Sequence, residues 1–466
     1  MNKKILFIQP TIYDDKGILV KKRKLYFVGL AHPLLSALLP EGWSSEICIE
    51  AIEDIPWDTD CDVIGIGAVG HAANRAKDIA VEFKKRGKIV FMGGPMVSLI
   101  PEVAIDYCDS VMIGDSEETI VELCKDIENG TLKKFYKKPT MKLSFPLPKY
   151  ELVANKKIGN FLPVQAGRGC PNTCKFCTIS CLYKGRYIRR EIDEVMRDIK
   201  YIKKLGFKEF LLVDDNIVSD PEYMLELCKQ IKPLKMRWMS QCAIQIAEYP
   251  ELLKACYESG CYVLSFGLES INKEAMVEIN KNWADPNDYI NVIKRVNAAG
   301  IEVASEMIVG LDTDTVESLN ATIDFIKKSN IIAPKFYCLN PIPGTPLNKE
   351  LNDRGTITDQ NFFDYKPSKS VNNTPNFTAN EITQQYWRVY EELYKIKVIL
   401  RRTIFNKRML KHPFRTLFFF GVNMIYRKDI KSNRIIQRYN IFKLEKQSPT
   451  SNYEYTTAKM ELCCMV

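Results

Sequence analysis

Three cysteines close together in the sequence are the residues with the clearest capacity for chemistry. Cys170, Cys174 and Cys177 are separated by three and then two residues, on a segment that also contains glycine and proline. Their sulfurs can turn toward one centre, and thiolates at this density bind iron–sulfur clusters or zinc. A structural zinc site needs a fourth Cys or His nearby, usually in a second pair, and the sequence has no such pair. Three ligands that leave one iron open therefore fit better than a zinc knuckle.

Cys181, which follows Cys177 by four residues, is a candidate fourth ligand. A cluster with four protein ligands could transfer electrons but would be closed to substrate. We favour the alternative that Cys181 is a small apolar residue of the local packing. The three histidines, His32, His71 and His412, are far apart in the sequence, so metal chemistry falls to cysteine.

The first 130 residues alternate apolar strand patterns with helical patterns. Strands are predicted at 4–9, 63–67, 89–92 and 110–113, and helices at 72–86 and 116–127. This alternation predicts an α/β domain with a doubly wound parallel sheet. Ligands of such sheets bind beyond the carboxyl ends of the strands. The residues expected there are Gly67, Gly93, Gly94, Pro95, Gly114, Asp115, Ser116 and Glu117. Composition alone leaves open whether these are plain turns or ligand-binding turns.

A second alternating region follows a linker at 131–157, which is rich in lysine and proline. Between 158 and 355, strands are predicted at 162–166, 209–213, 237–241, 262–266, 303–308 and 335–339, with helices between them. Six βα units are fewer than the eight of a closed barrel, so a partial (β/α)6 barrel is predicted.

The C-terminal region, 356–446, is predicted to be mainly helical and basic, and 447–466 to be a disordered tail. Residues 381–446 contain 16 Lys or Arg against 5 Asp or Glu, while the whole chain has a net charge of +9. Phenylalanines 414 and 418–420 lie among these basic residues, which favours either contact with anionic lipid headgroups or a helical lid with a solvated basic side. No nucleic-acid module is recognisable, so no nucleic-acid partner is expected.

The chain shows no apolar run long enough to span a membrane and no signal-peptide pattern. A cytoplasmic protein is predicted, with a peripheral membrane contact as a further expectation. In the cytoplasm the 15 cysteines should be thiols or metal ligands, because disulfides are rare there.

The cysteine motif, with Phe176 before its last cysteine, resembles the signature of the radical S-adenosylmethionine (radical SAM) enzymes. The likeness runs from about residue 3 to 355 and is strongest to members with an N-terminal cobalamin-binding domain, in particular the hopanoid methylases. The landmarks that carry it are residues 93–95, 114–117, 213–216, 267–270, 310–314 and 341–346.

The resemblance implies a 4Fe-4S cluster on Cys170, Cys174 and Cys177, with S-adenosylmethionine bound to the open iron. One electron then cleaves the sulfonium, which gives methionine and a 5'-deoxyadenosyl radical. Residues that the resemblance and the strand ends assign to S-adenosylmethionine are Phe176, Asp214, Asp215, Asn216, Gln241, Gly267, Glu269 and Gly310. The N-terminal turns, from Gly67 to Glu117, are assigned to cobalamin.

The cobalamin assignment lacks one familiar motif. Many cobalamin domains carry Asp-x-His-x-x-Gly, whose His binds cobalt, but His71 has no Asp two residues before it. Related radical enzymes commonly lack the motif and leave cobalt without a protein ligand beneath. A domain that has lost the cofactor stays an alternative.

The function implied is methylation of an unactivated carbon in a lipid-like or other hydrophobic small molecule, with electrons from a donor such as flavodoxin or ferredoxin. The nearest alternative keeps the radical domain but changes the outcome to ring contraction, carbon–carbon coupling or desaturation. A non-enzymatic iron–sulfur or cobalamin sensor is disfavoured, because sensing does not need polar residues at successive strand ends.

Overall fold

The computed structural model describes residues 3–14, 16–67 and 70–434. It has two parallel six-stranded sheets, each flanked by helices, followed by a helical C-terminal region. The α/β class is therefore confirmed. The tail at 447–466, predicted to be disordered, lies outside the described residues.

The N-terminal sheet is doubly wound because its strands are apolar on both faces. In the first strand, Ile5 and Phe7 enter one core, and Leu6 and Ile8 enter the core on the opposite face. The sheet order is β2-β1-β3-β4-β5-β6, and all pairs are parallel. The strands are β1 Lys3–Gln9, β2 Trp43–Ile49, β3 Val63–Gly67, β4 Ile89–Gly93, β5 Ser110–Ile113 and β6 Phe135–Lys137. The helices are α1 Ala31–Leu38, α2 Ala73–Lys85, α3 Pro95–Leu99, α4 Pro101–Ala104 and α5 Ile120–Asn129.

Two of these strands were not predicted. In β2, Trp43 is followed by a polar Ser-Ser-Glu segment that is partly exposed, so the strand lacks a continuous apolar run. β6 has only three residues, too few to show a periodicity, and it lies inside the predicted linker as the edge strand beside β5. The linker therefore begins with a strand of the first domain and also contains α6 Glu151–Ala154.

The second sheet confirms the partial barrel of six parallel strands. Its order is β14-β13-β12-β11-β10-β7, so the two edge strands are the first and the last strand of this sheet in chain order. The strands are β7 Phe161–Val164, β10 Glu209–Leu212, β11 Arg237–Cys242, β12 Cys261–Glu269, β13 Glu302–Val309 and β14 Ile331–Cys338. The helices are α7 Thr178–Tyr183, α8 Ile192–Lys204, α9 Pro221–Ile231, α10 Pro250–Glu258, α11 Lys273–Glu278, α12 Tyr289–Ala298, α13 Val316–Lys328 and α14 Pro346–Asp353. A short antiparallel pair, β8 Gly167–Gly169 and β9 Tyr187–Arg189, flanks the cysteine loop.

The described C-terminal region is helical from residue 379 onward, whereas 356–378 is mostly irregular. Its helices are α15 Ala379–Leu393, α16 Ile396–Arg402 and α17 Pro413–Lys431. α15 begins with a reciprocal capping box between Thr378 and Glu381. Over residues 3–14, 16–67 and 70–434, no helix combines the length and the apolar character needed to cross a membrane.

Candidate active site

The three motif cysteines lie on a loop that the β8–β9 pair closes into a hairpin. All three are free thiols, with Cys174 buried and the other two half-buried. The loop starts at Gly169, which has φ +87°, and a Cβ there would lie 2.2 Å from the carbonyl oxygen of Arg186. Only glycine fits this position, because any side chain would collide with backbone.

The three cysteines of the loop suit a cluster of several irons better than a single metal ion. Within the described parts of the chain, no three His, Cys, Asp or Glu side chains converge closely enough to hold a single metal ion. A 4Fe-4S cluster makes a different demand, because each thiolate binds a different iron. Burial raises the pKa of the Cys174 thiol to about 12, and the positive charge of Lys281 opposes that rise. Metal binding would hold this thiol as a thiolate.

The polar residues after β10 hold the cluster loop in place. Asp214 Oδ1 accepts a hydrogen bond of 2.8 Å from the Ala166 amide. Asp215 Oδ2 accepts one of 2.8 Å from the Gly169 amide, directly before the first cysteine. Burial raises the pKa of Asp214 to about 8 and also raises the pKa of Asp215. These carboxyl groups thus support the loop from behind, whereas their contacts with S-adenosylmethionine stay a prediction.

Asn216 reaches the first cysteine itself. Its Nδ2 lies 3.9 Å from Cys170 Sγ, within the range of a weak N–H···S hydrogen bond. Its Oδ1 accepts a hydrogen bond of 2.9 Å from the amide of Ala243, just beyond β11. The amide is therefore fixed at both ends and points one donor at the cluster thiol.

Glu269 is paired with a lysine that sequence reasoning missed. Lys281 Nζ donates to Glu269 Oε1 at 2.7 Å and to the carbonyl oxygen of Gly267 at 2.8 Å, and both charged side chains are buried. The turn that carries Lys281 is joined to the cluster loop, since Asn280 Nδ2 donates to the Thr173 carbonyl oxygen at 2.8 Å. The pair therefore sits beside the cysteines. The sequence signal was a lysine in the turn after α11, which composition alone does not distinguish from a surface charge.

The remaining residues assigned to S-adenosylmethionine lie in or near the barrel. Gln241 is in register with Ser265 of β12, and Phe176 is half-buried against the main core. Gly310 follows β13 with φ +101°, and a Cβ there would lie 3.0 Å from Ile382 of α15. Its role toward the ligand stays a prediction, as do those of Gln241 and Phe176.

A cavity of about 960 Å³ opens at the carboxyl edge of the N-terminal sheet, against the barrel. All eight residues assigned to cobalamin line it, namely Gly67, Gly93, Gly94, Pro95, Gly114, Asp115, Ser116 and Glu117. The helix after the cluster loop forms the facing wall with Ile179, Cys181, Leu182 and Tyr183, so Cys181 faces this cavity. The cavity is at the upper end of the size range for small-molecule and cofactor sites, about 300–1,000 Å³.

The turns around the cavity are preorganised by a serine that the sequence reasoning did not single out. Ser98 Oγ donates to the Gly94 carbonyl oxygen at 2.8 Å and accepts from the Gly114 amide at 2.9 Å. Gly94 and Gly114 have φ of +109° and +81°, which favour glycine. The two turns are therefore held together and present backbone to the cavity.

Arg168 connects this cavity to the cluster loop. Its guanidinium forms ion pairs of 2.7 Å with both Asp115 and Glu117, and the three side chains are at most 15% exposed. A charged residue two positions before the first cysteine could compensate the charge of a cluster or be a solvated loop charge. The structure instead places it in a buried contact with the first domain.

Comparisons with known proteins agree with this geometry. The profile of the Radical SAM superfamily matches residues 164–326. The bacteriochlorophyllide d C-12(1)-methyltransferase of Chlorobaculum tepidum is 30% identical over 365 residues, covering 75% of this chain and 78% of the relative. The hopanoid C-2 methylase of Rhodopseudomonas palustris is 25% identical over 343 residues, covering 70% of this chain and 64% of the relative.

A solved structure has a similar fold. The radical S-adenosylmethionine methyltransferase TsrM from Kitasatospora setae superposes with a TM-score of 0.62 at 16% identity, over 83% of this chain and 85% of that one. This likeness shows the fold. The family profile and the sequence relatives show that the chain belongs to the radical SAM enzymes, in the methyltransferase group that contains the bacteriochlorophyllide d methyltransferases and hopanoid C-2 methylase.

Proposed function

We propose that the protein is a cobalamin-dependent radical SAM methyltransferase that methylates an unactivated carbon of a lipid-like or other hydrophobic small molecule. The observation that carries the proposal is the cavity between the N-terminal sheet and the helix that follows the cluster loop. It has preorganised glycine turns on one side and the loop of Cys170, Cys174 and Cys177 behind the other.

The residues present fit both cofactors. Three free cysteines on one loop, with a buried lysine beside them, suit an anionic cluster with one open iron. Backbone turns without side chains suit a large planar ligand that must approach closely. The cluster supplies the electron that cleaves S-adenosylmethionine, and cobalamin carries the methyl group. The chain itself supplies the placement, through Ser98, Arg168 and the strand ends, and a largely apolar cavity.

The cavity and the relatives support the proposed substrate class. The cavity wall is mainly apolar, with Phe7, Leu30, Leu34 and Leu35 on the side of the first domain. The relatives act by name on a bacteriochlorophyllide and on a hopanoid, which are both hydrophobic ring systems. A small flavodoxin or ferredoxin is the reductant we propose, since the cluster needs electrons one at a time.

The test is an anaerobic incubation of reconstituted enzyme with S-adenosylmethionine, reductant and candidate hydrophobic substrates. Methylation by this chemistry should give one S-adenosylhomocysteine and one 5'-deoxyadenosine for each methylated product, measured by mass spectrometry. 5'-Deoxyadenosine with an altered but unmethylated product would instead favour ring contraction, coupling or desaturation. A reconstituted enzyme that takes up no cobalamin would contradict the proposal.

We also propose that the protein contacts anionic membranes through the end of the C-terminal region. The structure supports in part both expectations for this region, the helical lid and the contact with lipid headgroups. Arg402 is buried and donates to Asn423, and Arg408 and Arg415 pair with Glu302 of the barrel, so part of the basic charge is internal. The inner side of α17 packs as a lid: Phe419, Val422 and Tyr426 line a small pocket with barrel residues Met239, Val263 and Ala304.

The outer side of the same region supports the membrane contact. Phe405, Leu410, Phe414 and Leu417 are 59–89% exposed and lie within 13 residues of one another in sequence. The basic side chains of Lys397, Arg401 and Lys407 are exposed nearby in sequence. Apolar side chains that insert, together with basic residues that attract anionic headgroups, provide the two signals that peripheral binding needs.

Vesicle co-sedimentation tests this contact. The full chain should sediment with phosphatidylglycerol vesicles at low salt and much less at high salt, because ions screen exposed charges beyond about 8 Å at physiological strength. The double variant Phe414→Ser and Leu417→Ser should stay in the supernatant. Met141→Ser, at an exposed apolar residue of the linker, is the matched control and should bind like the wild type. Equal binding of both variants would contradict the contact.

A further inference from the structure

A histidine lies in the large cavity with no partner for its ring nitrogens. His32 is in the first turn of α1, is 7% exposed, and lines the cavity together with Phe7 and Phe91. Among the described residues, the imidazole has no hydrogen-bond or ion-pair partner, and burial alone lowers its pKa to about 4. The ring is therefore neutral near pH 7 and carries one nitrogen with a free lone pair.

The ring is held in a defined position. It stacks on Phe7 with ring centroids 5.7 Å apart and an interplanar angle of 22°. A Cβ on Gly67, at the end of β3, would lie 2.9 Å from Nε2. Glycine at this position therefore leaves room for the ring nitrogen, whereas the Cβ of any other residue would press against it.

An unpartnered polar atom in an apolar cavity has a cost that a ligand can remove. Buried polar groups in proteins nearly always find a partner, and leaving one without a partner is destabilising. A neutral imidazole that is fixed by stacking and lines a cavity is also a strong ligand for a transition metal, because the ring loses little freedom on binding.

We propose that His32 Nε2 is a ligand of cobalt in the cavity, on the side of the N-terminal sheet. The inference rests on the proposed function, since it requires cobalamin at this site. It departs from the expectation that cobalt has no protein ligand here, which followed from the missing Asp-x-His-x-x-Gly sequence. His32 was not detected by that pattern because it opens α1 without the preceding aspartate, after a long connection from β1.

The experiment uses cobinamide, which contains the corrin and cobalt but no nucleotide base, so any axial nitrogen must come from the protein. The wild-type enzyme, loaded with cobinamide and reduced to the Co(II) state, is measured by electron paramagnetic resonance. A histidine ligand should split each cobalt line into a triplet. Labelling all histidines with ¹⁵N should change the triplets into doublets.

Substitutions then assign the histidine. The chain has three histidines, and His71 and His412 are exposed at other places, so His71→Ala and His412→Ala are matched controls that should keep the splitting. His32→Ala should lose it and should bind cobinamide more weakly by roughly tenfold or more, as the loss of a ligand or its support does. If His32→Ala does not fold, the labelled wild type still shows whether a histidine binds cobalt. The two control variants then show whether that histidine is His71 or His412.

The outcomes separate the two proposals. Cobinamide binding without nitrogen splitting, or splitting that survives His32→Ala, would overturn the ligand assignment while leaving the cobalamin site intact. Failure of both cobinamide and cobalamin to bind the full-length protein would overturn the proposed function instead, and with it this inference.

Discussion

Arg168 and Asp115 form an ion pair of 2.7 Å across the boundary between the N-terminal domain and the barrel. Tyr183, on the helix after the cluster loop, donates to the same carboxylate at 2.6 Å. Arg168 is two residues before Cys170, and Asp115 lines the large cavity. The cysteine loop and the cavity are thus joined through one buried carboxylate, so a change at this pair should affect both domains.

Replacement of Arg168 by Met should strongly destabilise the protein. It leaves the carboxylates of Asp115 and Glu117 buried without their cation, and breaking a buried pair costs about 3–5 kcal/mol. The matched control is Arg189→Met, whose partner Asp220 is near the surface and whose own side chain is 56% exposed; surface pairs contribute about 0–1 kcal/mol. Thermal melting of both variants checks this. Equal melting temperatures would show that the buried Arg168 pair stabilises the protein no more than the surface pair does.

The cysteine assignment gives a second prediction. Single substitutions of Cys170, Cys174 or Cys177 by Ala should abolish iron binding and cleavage of S-adenosylmethionine, because each thiolate holds a different iron. Cys181→Ala should keep both, since Cys181 lines the large cavity. Iron analysis and assay of 5'-deoxyadenosine after anaerobic reconstitution measure the outcome. Loss of the cluster in the Cys181 variant would mean that the open iron has been assigned wrongly.

Lys281 should raise the reduction potential of the cluster. Its buried ammonium interacts with the thiols of Cys174 and Cys177, and Glu269 balances it. Because reduction adds negative charge, Lys281→Met should lower the reduction potential, and a tenfold change in the equilibrium corresponds to roughly 59 mV for one electron. Glu269→Gln should shift the potential in the opposite direction. Redox titration followed by electron paramagnetic resonance measures both, with Lys281→Arg as the charge-preserving control; an unchanged potential in Lys281→Met would refute the role.

Site residues were easier to predict where the signal lies in neighbouring residues of the sequence than where it depends on contacts made by the fold. The cysteine spacing and the glycine turns are local signals, and the structure brings all eight turn residues to one cavity. The six barrel strands were predicted because each is an apolar run between helical patterns. β14 nevertheless begins at Ile331, four residues before the predicted start, because the edge of a sheet accepts Pro334.

The residues whose structural roles were missed depend on the fold rather than on their neighbours in sequence. Arg168, Lys281 and His32 are single charged or polar residues, and their sequence neighbours do not reveal that they are buried. The role of Arg168 arises from a partner that is distant in sequence, Asp115. A partial signal did exist for His32, since the helix that follows the first strand starts near the carboxyl edge of the sheet, where ligands bind.

Asp314 provides a prediction about pH. Its buried Oδ2 accepts hydrogen bonds from the amides of Gly310 at 2.8 Å and Leu311 at 3.0 Å, yet burial raises its pKa to about 6. An unfolded aspartate has a pKa of about 3.9, so between these values the folded protein binds more protons than the unfolded chain. The contribution of Asp314 to stability is therefore greatest at low pH and falls as the pH rises from about 4 to about 6.

Asp314→Asn should remove this dependence while keeping an oxygen that accepts from both amides. Two pKa units correspond to roughly 3 kcal/mol over the whole titration, and roughly 2 kcal/mol of this falls between pH 4.5 and pH 7. The stability of the variant relative to the wild type should therefore be higher at pH 7 than at pH 4.5 by about this smaller amount. Thermal melting of both proteins at the two pH values measures the difference, and Asp312→Asn, at a more exposed aspartate of the same loop, is the control. A difference between variant and wild type that does not change with pH would show that Asp314 is ionised in the folded protein throughout this range, held by the two amides despite its burial.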